Sequence, residues 1–349
     1  MTSDGVRMML KSLPERESNK IRNMSFVCAL FVASIHIVWE SEVFGASWLC
    51  YHFLKDGVAR IAVPYFFVVS GYFLGKRFYE DHWWRNACVK RFYSLFLPYV
   101  FWSVLYAFWT IPLSVAANII GKRAVFENVE IDIPEFVKWF GLDLYDYPLL
   151  WPLWYVRLLM LLVIASPIFK WAIRNYALPV MLLAFLLMAT RQYLPIDSGF
   201  WGHGISLSGI FYWMVGLCIA LGKVKKLPEI DSRIPLSVGI GLLILRVWCY
   251  RYCPGFEPLL ANLFVPFVLY AIWCIVSDVK WKSWITNASF PVYVMHPCWY
   301  AWVWVLGRNV NGLAKSLTML FVGVFASIVF ANAFRWLSPR ICRVLFGGR

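Results

Sequence analysis

The sequence predicts an all-α polytopic membrane protein, a bundle of about ten transmembrane helices. Of its 349 residues, 61% are hydrophobic and only 15% are charged. Soluble domains are nearer to about half apolar and a quarter charged. The apolar residues form long runs, several of which can cross a bilayer as a helix. Lysine and arginine collect in alternate segments between those runs, which is typical of positive-inside topology.

Three segments follow from this pattern: a polar N-terminal tail over residues 1–20, a membrane domain over 21–336 and a basic C-terminal tail over 337–349. Within the membrane domain the apolar runs give the candidate helices in order. They cover residues 21–39, 57–75, 92–115, 149–169, 177–190, 205–221, 234–249, 259–276, 287–306 and 316–336. Several of these runs are short or interrupted by proline or glycine.

The distribution of charge predicts that both termini are cytoplasmic. With the N-terminus inside, the inner segments hold 22 Lys/Arg and 8 Asp/Glu, and the outer segments hold 9 and 11. The longest connection, residues 116–148, falls outside and is acidic. The net charge of +14 is therefore mainly topogenic, and we expect the bilayer and not nucleic acid as its partner.

The first apolar run, Ile21–Trp39, carries His36 near its far end. An ionisable side chain inside such a run is costly and indicates function. At 100° per residue, Arg22, Ser25 and Glu40 fall on the same helical face as His36. One face of this helix therefore gathers a base, a carboxylate and a cation.

The second run contains Pro64, which can kink the helix, and Ser70-Gly71, which permits close helix approach. Arg60 stands at its predicted outer entrance, where it can meet the loop after His36 or pair with Asp56.

Two further arginines lie within helices. Arg157, in the fourth run, must pair or line a wet cavity, and Arg246 is expected to snorkel at an outer helix end. Ser70 is expected to pack and not to act as a nucleophile, since no GxSxG elbow is present. No paired His/Asp/Glu spacing predicts a metal.

Short motifs in order along the chain resemble those of the acyltransferase three family of integral membrane proteins. Val63–Tyr72 matches the pattern PxFFxxSGY, and Ser289–Pro297 resembles the SxxxYxxH stretch. The remaining matches are a first helix ending in histidine, Lys90-Arg91 opening the third helix, Leu97-Pro98-Tyr99, and the Trp-rich Leu150–Tyr155.

The resemblance implies transfer of an acyl group, usually acetyl from cytoplasmic acetyl-CoA, to a hydroxyl of a sugar or cell-envelope glycan. It makes 21–336 an acyltransferase domain and His36 the residue on which the chemistry depends. The family commonly carries an arginine eleven residues before this histidine, where this chain has Ser25. Arg22, one turn earlier on the same face, is the expected substitute.

Acyl transfer needs a base for the alcohol proton and a cation or donor for the oxyanion. His36 suits the first task, and Glu40 can hold its tautomer. Fourteen residues separate Arg22 from His36, about 21 Å along a helix, which a pantetheine arm can span inside a tunnel. The residues expected to bind acyl-CoA are Arg22, Arg77, Arg85, Lys90 and Arg91. Those expected to line the tunnel or contact the acceptor are Arg60, Tyr65, Ser70, Trp154, Arg157 and His296.

The first hypothesis is thus a multi-pass O-acyltransferase of the bacterial inner membrane. It would use acetyl-CoA as co-substrate, hold no permanent cofactor or metal, and acylate a glycan or lipid-linked sugar. Its rival is a transporter or exporter of an anionic or glycan solute, with Arg60 and Arg157 as solute contacts. No duplicated half is visible, which weakens the rival because many transporters are built from repeats.

Overall fold

In the computed structural model of the chain, helices joined by turns and short irregular segments make up the described backbone. It describes residues 15–37, 45–119, 144, 147–194, 200, 204–224, 230–253, 255–276, 279, 281–306 and 312–346. Over these residues there are helices and turns and no strand, so the predicted all-α class is confirmed. Glu40 and most of the connection 116–148 lie outside the described residues.

The α-helices are numbered in chain order. They are α1 Glu15–Ile35, α2 Ala46–Leu49, α3 Ala62–Gly75, α4 Trp83–Arg91, α5 Leu97–Ile119, α6 Trp154–Thr190, α7 Leu207–Ala220, α8 Arg233–Tyr252, α9 Glu257–Leu263, α10 Val265–Val276, α11 Ser283–Thr286, α12 Ser289–Leu306, α13 Gly312–Leu337 and α14 Pro339–Leu345. Two π-helical turns, Cys50–Lys55 and Phe92–Phe96, continue α2 and precede α5.

Five helical stretches within the described ranges are long and apolar enough to cross a membrane. They are Ala46–Gly75, Trp83–Leu113, Trp151–Thr190, Arg233–Tyr252 and Gly312–Leu337. Two shorter apolar helices, Leu207–Ala220 and Val265–Val276, accompany them. The protein is therefore a helical membrane protein, and the predicted number of ten spans remains a prediction.

The long helix α6 reverses direction part-way along. Tyr176 departs from helical geometry, with φ −137° and ψ 42°, three residues before Pro179. Trp154 at its start and Met188 near its end line the same cavity. A straight helix of 37 residues would separate them by about 50 Å. The chain therefore turns back near Tyr176, between the predicted runs 149–169 and 177–190.

Helix α1 is shifted toward the N-terminus relative to the predicted run 21–39. It begins at Glu15, inside the segment predicted to be a polar tail, and ends at Ile35. Its buried Asn23 donates hydrogen bonds from Nδ2 to the carbonyls of Val276 (3.3 Å) and Val279 (2.7 Å). These bonds attach α1 to the end of α10.

Helices α3 and α7 approach each other closely, and two glycines make that approach possible. A Cβ on Gly71 would lie 2.1 Å from the carbonyl oxygen of Trp213, and one on Gly216 would lie 2.1 Å from that of Val68. The Ser70-Gly71 step therefore packs helices, as its sequence predicts.

The C-terminal segment also packs on the bundle. Trp102 of α5 donates from Nε1 to the carbonyl of Leu345 (2.8 Å), and the ring of Phe346 is fully buried beside Trp102. At least this part of the segment predicted as a tail thus belongs to the helical domain.

Candidate active site

A cavity of about 980 Å³ opens beside the end of α1, and His36 is one of its lining residues. Much of its wall is aromatic, formed by Phe66, Tyr147, Trp151, Trp154, Tyr155, Tyr212, Tyr250 and Tyr293. Polar and charged side chains complete it: Asp56, Arg60, Arg191, Ser206, Ser208, Arg246, Glu257 and Asn262. This volume lies within the range of sites that enclose small molecules, about 300–1,000 Å³.

His36 lies in the turn directly after α1, where its backbone N–H donates to the carbonyl of Ala33 (3.3 Å). The residue is half-buried. Its ring centroid is 6.1 Å from that of Trp151 and 5.3 Å from that of His296. His36 is therefore held between two aromatic neighbours with access to the cavity.

A network of charges forms another part of the cavity wall. Asp56 accepts a hydrogen bond from Arg60 (2.8 Å), and its other carboxylate oxygen lies 3.8 Å from Arg246. The Arg246 guanidinium pairs with Glu257 at 2.6 Å from Nε and 2.5 Å from Nη2, and it also donates to the backbone carbonyl of Asp56. Arg246 is thus buried and paired, so the expectation that it snorkels is wrong.

The five cations predicted to bind acyl-CoA do not line this cavity. Arg22 donates to Asn19 (2.5 Å), and Arg77 pairs with Glu80 (2.9 Å). Lys90 lies within electrostatic range of Arg77 and of Arg91. Arg85 is exposed. Arg22 lies near the start of α1, and the other four follow α3, so all five belong to the opposite end from His36, which we call the cation end.

Hydrogen bonds between α1 and α3 lie along the path from the cation end to His36. Tyr65 donates from its hydroxyl to the carbonyl of Ile21 (2.9 Å) and lies 3.3 Å from the hydroxyl of Ser25. Ser25 donates to the same carbonyl (2.7 Å). Tyr65 is buried and is not a lining residue of the cavity. The cavity therefore covers only the His36 end of the predicted tunnel.

The other predicted tunnel residues divide into two groups. Arg60 and Trp154 line the cavity, whereas Arg157 and His296 are buried outside its lining. Ser70 also lies outside it, but its hydroxyl is 3.0 Å from that of the lining residue Tyr155. Glu40, the predicted partner of His36, lies outside the described residues.

Several lining residues were not predicted to belong to the site. Tyr155 and Tyr293 stand inside the Trp-rich and SxxxYxxH motifs, so the motifs contained a signal for them. Tyr293 donates its hydroxyl hydrogen to the carbonyl of Pro152, which joins the two motifs in space. Arg246 and Glu257 gave no local signal, because their pairing depends on how α8 and α9 meet.

The chemistry available at this end is that of an imidazole base facing a concave, aromatic and polar space. A neutral imidazole can accept the proton of a hydroxyl as a general base. Aromatic faces and hydroxyl, amide and carboxylate groups together suit a sugar ring, which has apolar C–H faces and polar hydroxyls. Among the described residues, no group of three or more His, Cys, Asp or Glu could hold a metal ion.

Comparisons with known proteins give one family and one relative of note. The family profile described as an acyltransferase domain, that of the acyltransferase three family, matches residues 20–336. The chain is 24% identical over 322 residues to the succinoglycan biosynthesis protein ExoH of Rhizobium meliloti (strain 1021). That alignment covers 85% of this chain and 81% of the relative. No solved structure is significantly similar.

Proposed function

The chain belongs to the acyltransferase three family, and from that premise we propose that it is an O-acyltransferase of the bacterial inner membrane. It transfers an acetyl group from cytoplasmic acetyl-CoA to a hydroxyl of a cell-envelope glycan or its lipid-linked precursor. The glycan acceptor is supported by the similarity to a succinoglycan biosynthesis protein and by the aromatic and polar cavity wall.

The observation that carries the proposal is the position of His36 beside a cavity large enough for a sugar. His36 acts as the general base. It takes the proton of the acceptor hydroxyl while the oxygen attacks the thioester carbonyl and forms the new C–O bond. The tetrahedral oxyanion then collapses, the C–S bond breaks, and the CoA thiolate takes the proton from His36.

The donor approaches from the cation end. Arg22, Arg77, Arg85, Lys90 and Arg91 hold the CoA phosphates there, as charge-assisted hydrogen bonds to phosphate favour. The pantetheine arm then lies along α1, where eleven residues separate Ser25 from His36, about 16 Å of helix. On this route it passes Tyr65, so its entry requires the hydrogen bonds of Tyr65 to α1 to give way.

The test is transfer of label from [14C]acetyl-CoA to lipid-linked oligosaccharide extracted from the host membrane. We expect His36→Ala to lower kcat by at least about a hundredfold, the usual contribution of a general base. His82→Asn is the matched control, because His82 is exposed at the cation end and its positive φ of 50° suits asparagine. Unchanged transfer by a well-inserted His36→Ala protein would remove the proposed base.

A transporter of an anionic solute is the second candidate. It is favoured by the presence of Arg60 in the cavity wall and by the absence of the five predicted CoA-binding cations from that wall. Thermal unfolding in detergent separates the two functions. An enzyme that binds CoA is stabilised by CoA and acetyl-CoA, whereas a transporter of another solute is not.

A further inference from the structure

A second histidine, His296 of α12, lies directly against the proposed base. The two ring centroids are 5.3 Å apart and the ring planes differ by 28°, so the imidazoles are stacked. His296 is fully buried and is not a lining residue of the cavity. Its ring contacts the lining residue His36.

The hydrogen bonding of His296 fixes which nitrogen carries its proton. Nδ1 lies 2.9 Å from the carbonyl oxygen of Val292, one helical turn earlier. A carbonyl can only accept a hydrogen bond, so Nδ1 is the protonated nitrogen and the neutral ring presents Nε2 as an acceptor. Nε2 is buried and has no hydrogen-bond partner in the part of the chain that the structure describes. Such a group is costly and calls for an explanation.

Contacts of Tyr300 hold the helix of His296 against the end of α1. Tyr300, on the same helix as His296, contacts its ring edge-on, with centroids 5.2 Å apart and planes at 67°. The hydroxyl of Tyr300 donates to the carbonyl of Ala33 (3.0 Å), three residues before His36. Helix α12 is therefore tied to the end of α1 at the point where the two histidines meet.

We propose, resting on the proposed function, that His296 is a positioning residue for His36. Its stacked ring holds the His36 imidazole beside the cavity. When His36 has taken the acceptor proton, its ring tilts out of the stack and donates its N–H to the Nε2 lone pair, which lies in the plane of the His296 ring. The proton stays on His36 and passes to the CoA thiolate, so His296 changes neither its own proton count nor the products.

Two substitutions separate this role from packing. His296→Phe keeps an aromatic ring of similar size and removes both nitrogens, whereas His296→Gln places a polar atom near the position of Nε2. We expect His296→Phe to lower kcat at least about tenfold with the KM values for acetyl-CoA and acceptor unchanged. We expect His296→Gln to restore part of that loss.

The matched control is His52→Phe. His52 is also buried, and its Nε2 has no hydrogen-bond partner among the described residues. Its ring contacts Trp48, Tyr51 and Tyr250, and it is not a lining residue of the cavity. We expect its kcat to stay within about twofold of wild type. The role of His296 would be overturned if His296→Phe kept the wild-type kcat, or if the Phe and Gln variants lost kcat equally. The proposed function would stand in both cases. A wild-type protein without transfer activity would overturn the proposed function as well.

Discussion

The two ends of the bundle use cations in different ways. At the His36 end, Arg246 is buried and bonded to Glu257, and Asp56 joins it to Arg60. At the cation end, Arg77 pairs with Glu80, three residues away, and Arg85 is exposed. A charge network of this kind holds a site in one shape, whereas an exposed local pair contributes little and can exchange its partner for a phosphate group. This difference is the basis for proposing the acceptor site at the His36 end and the donor entrance at the cation end.

The largest effect is expected from removing the buried guanidinium. Arg246→Met removes the guanidinium bound to Glu257 in a partly buried place, and Asp56 keeps Arg60 as its partner, so the free energy of unfolding should fall by about 3–5 kcal/mol. Arg77→Met breaks only an i,i+3 pair and should cost less than about 1 kcal/mol. Denaturation of both variants in the same detergent measures the difference.

A second substitution in Arg246→Met sharpens this comparison. Replacing Glu257 by Gln as well removes the unpaired carboxylate and should recover part of the lost free energy, because the two sites are coupled. Equal losses for Arg246→Met and Arg77→Met would contradict the account of a structural network at the His36 end.

The next largest loss of stability is expected at the contact between α3 and α7, both of which contribute residues to the cavity wall. Gly71→Ala places a Cβ against the backbone of Trp213, so α3 and α7 must separate, and we expect a loss of about 1–3 kcal/mol. Gly241→Ala is the control, because no described atom lies within 4 Å of a Cβ there. A Gly71→Ala protein as stable as the control variant would show that the approach of α3 to α7 is not as close as described.

A smaller effect is expected from the hydroxyl pair behind the cavity wall. Ser70→Ala removes the contact of 3.0 Å between these side chains and should cost about 0.5–1.5 kcal/mol. Tyr155→Phe removes the same contact together with the hydrogen bond from Tyr155 to the carbonyl of Phe66 (3.2 Å), so it should cost at least as much. The double variant should lose less than the sum of the two, since both remove the same hydrogen bond. Strict additivity in thermal unfolding would show that the two hydroxyls do not interact.

The smallest expected effects are on KM values. They test whether the donor binds at the cation end and the acceptor at the His36 end. Arg91→Gln should raise the KM for acetyl-CoA about two- to fivefold, because a half-exposed cation contributes less than about 1 kcal/mol. Arg60→Gln should instead raise the KM for the acceptor by a similar factor. If both substitutions changed the same KM, donor and acceptor would have to enter from one end.

How far the sequence predicts the structure depends on how local the signal is. The Ser70-Gly71 step predicts close packing, and Gly71 indeed lies against α7. The gap between the apolar runs 149–169 and 177–190 predicts a break, which falls at Tyr176. These features depend on neighbouring residues alone.

Features that depend on contacts between distant parts of the chain could not be predicted from the sequence. The stacking of His36 on His296 and the burial of Arg246 beside Glu257 depend on how distant helices meet. The apolar run ending at Trp39 also gave no sign that α1 stops at Ile35, where the chain turns and exposes His36 to the cavity. Predicting Glu40 on the same helical face assumed a helix that continues, and α1 ends before it.

The role of His36 is tested by measuring acetyl-CoA binding and acetyl transfer in the same purified His36→Gln protein. We expect acetyl-CoA to stabilise this protein against heat as much as it stabilises the wild type, because the donor is held at the cation end. We also expect kcat to be lowered by at least about a hundredfold. Transfer within about tenfold of the wild-type rate by a protein that binds acetyl-CoA normally would contradict the role of His36 as the base.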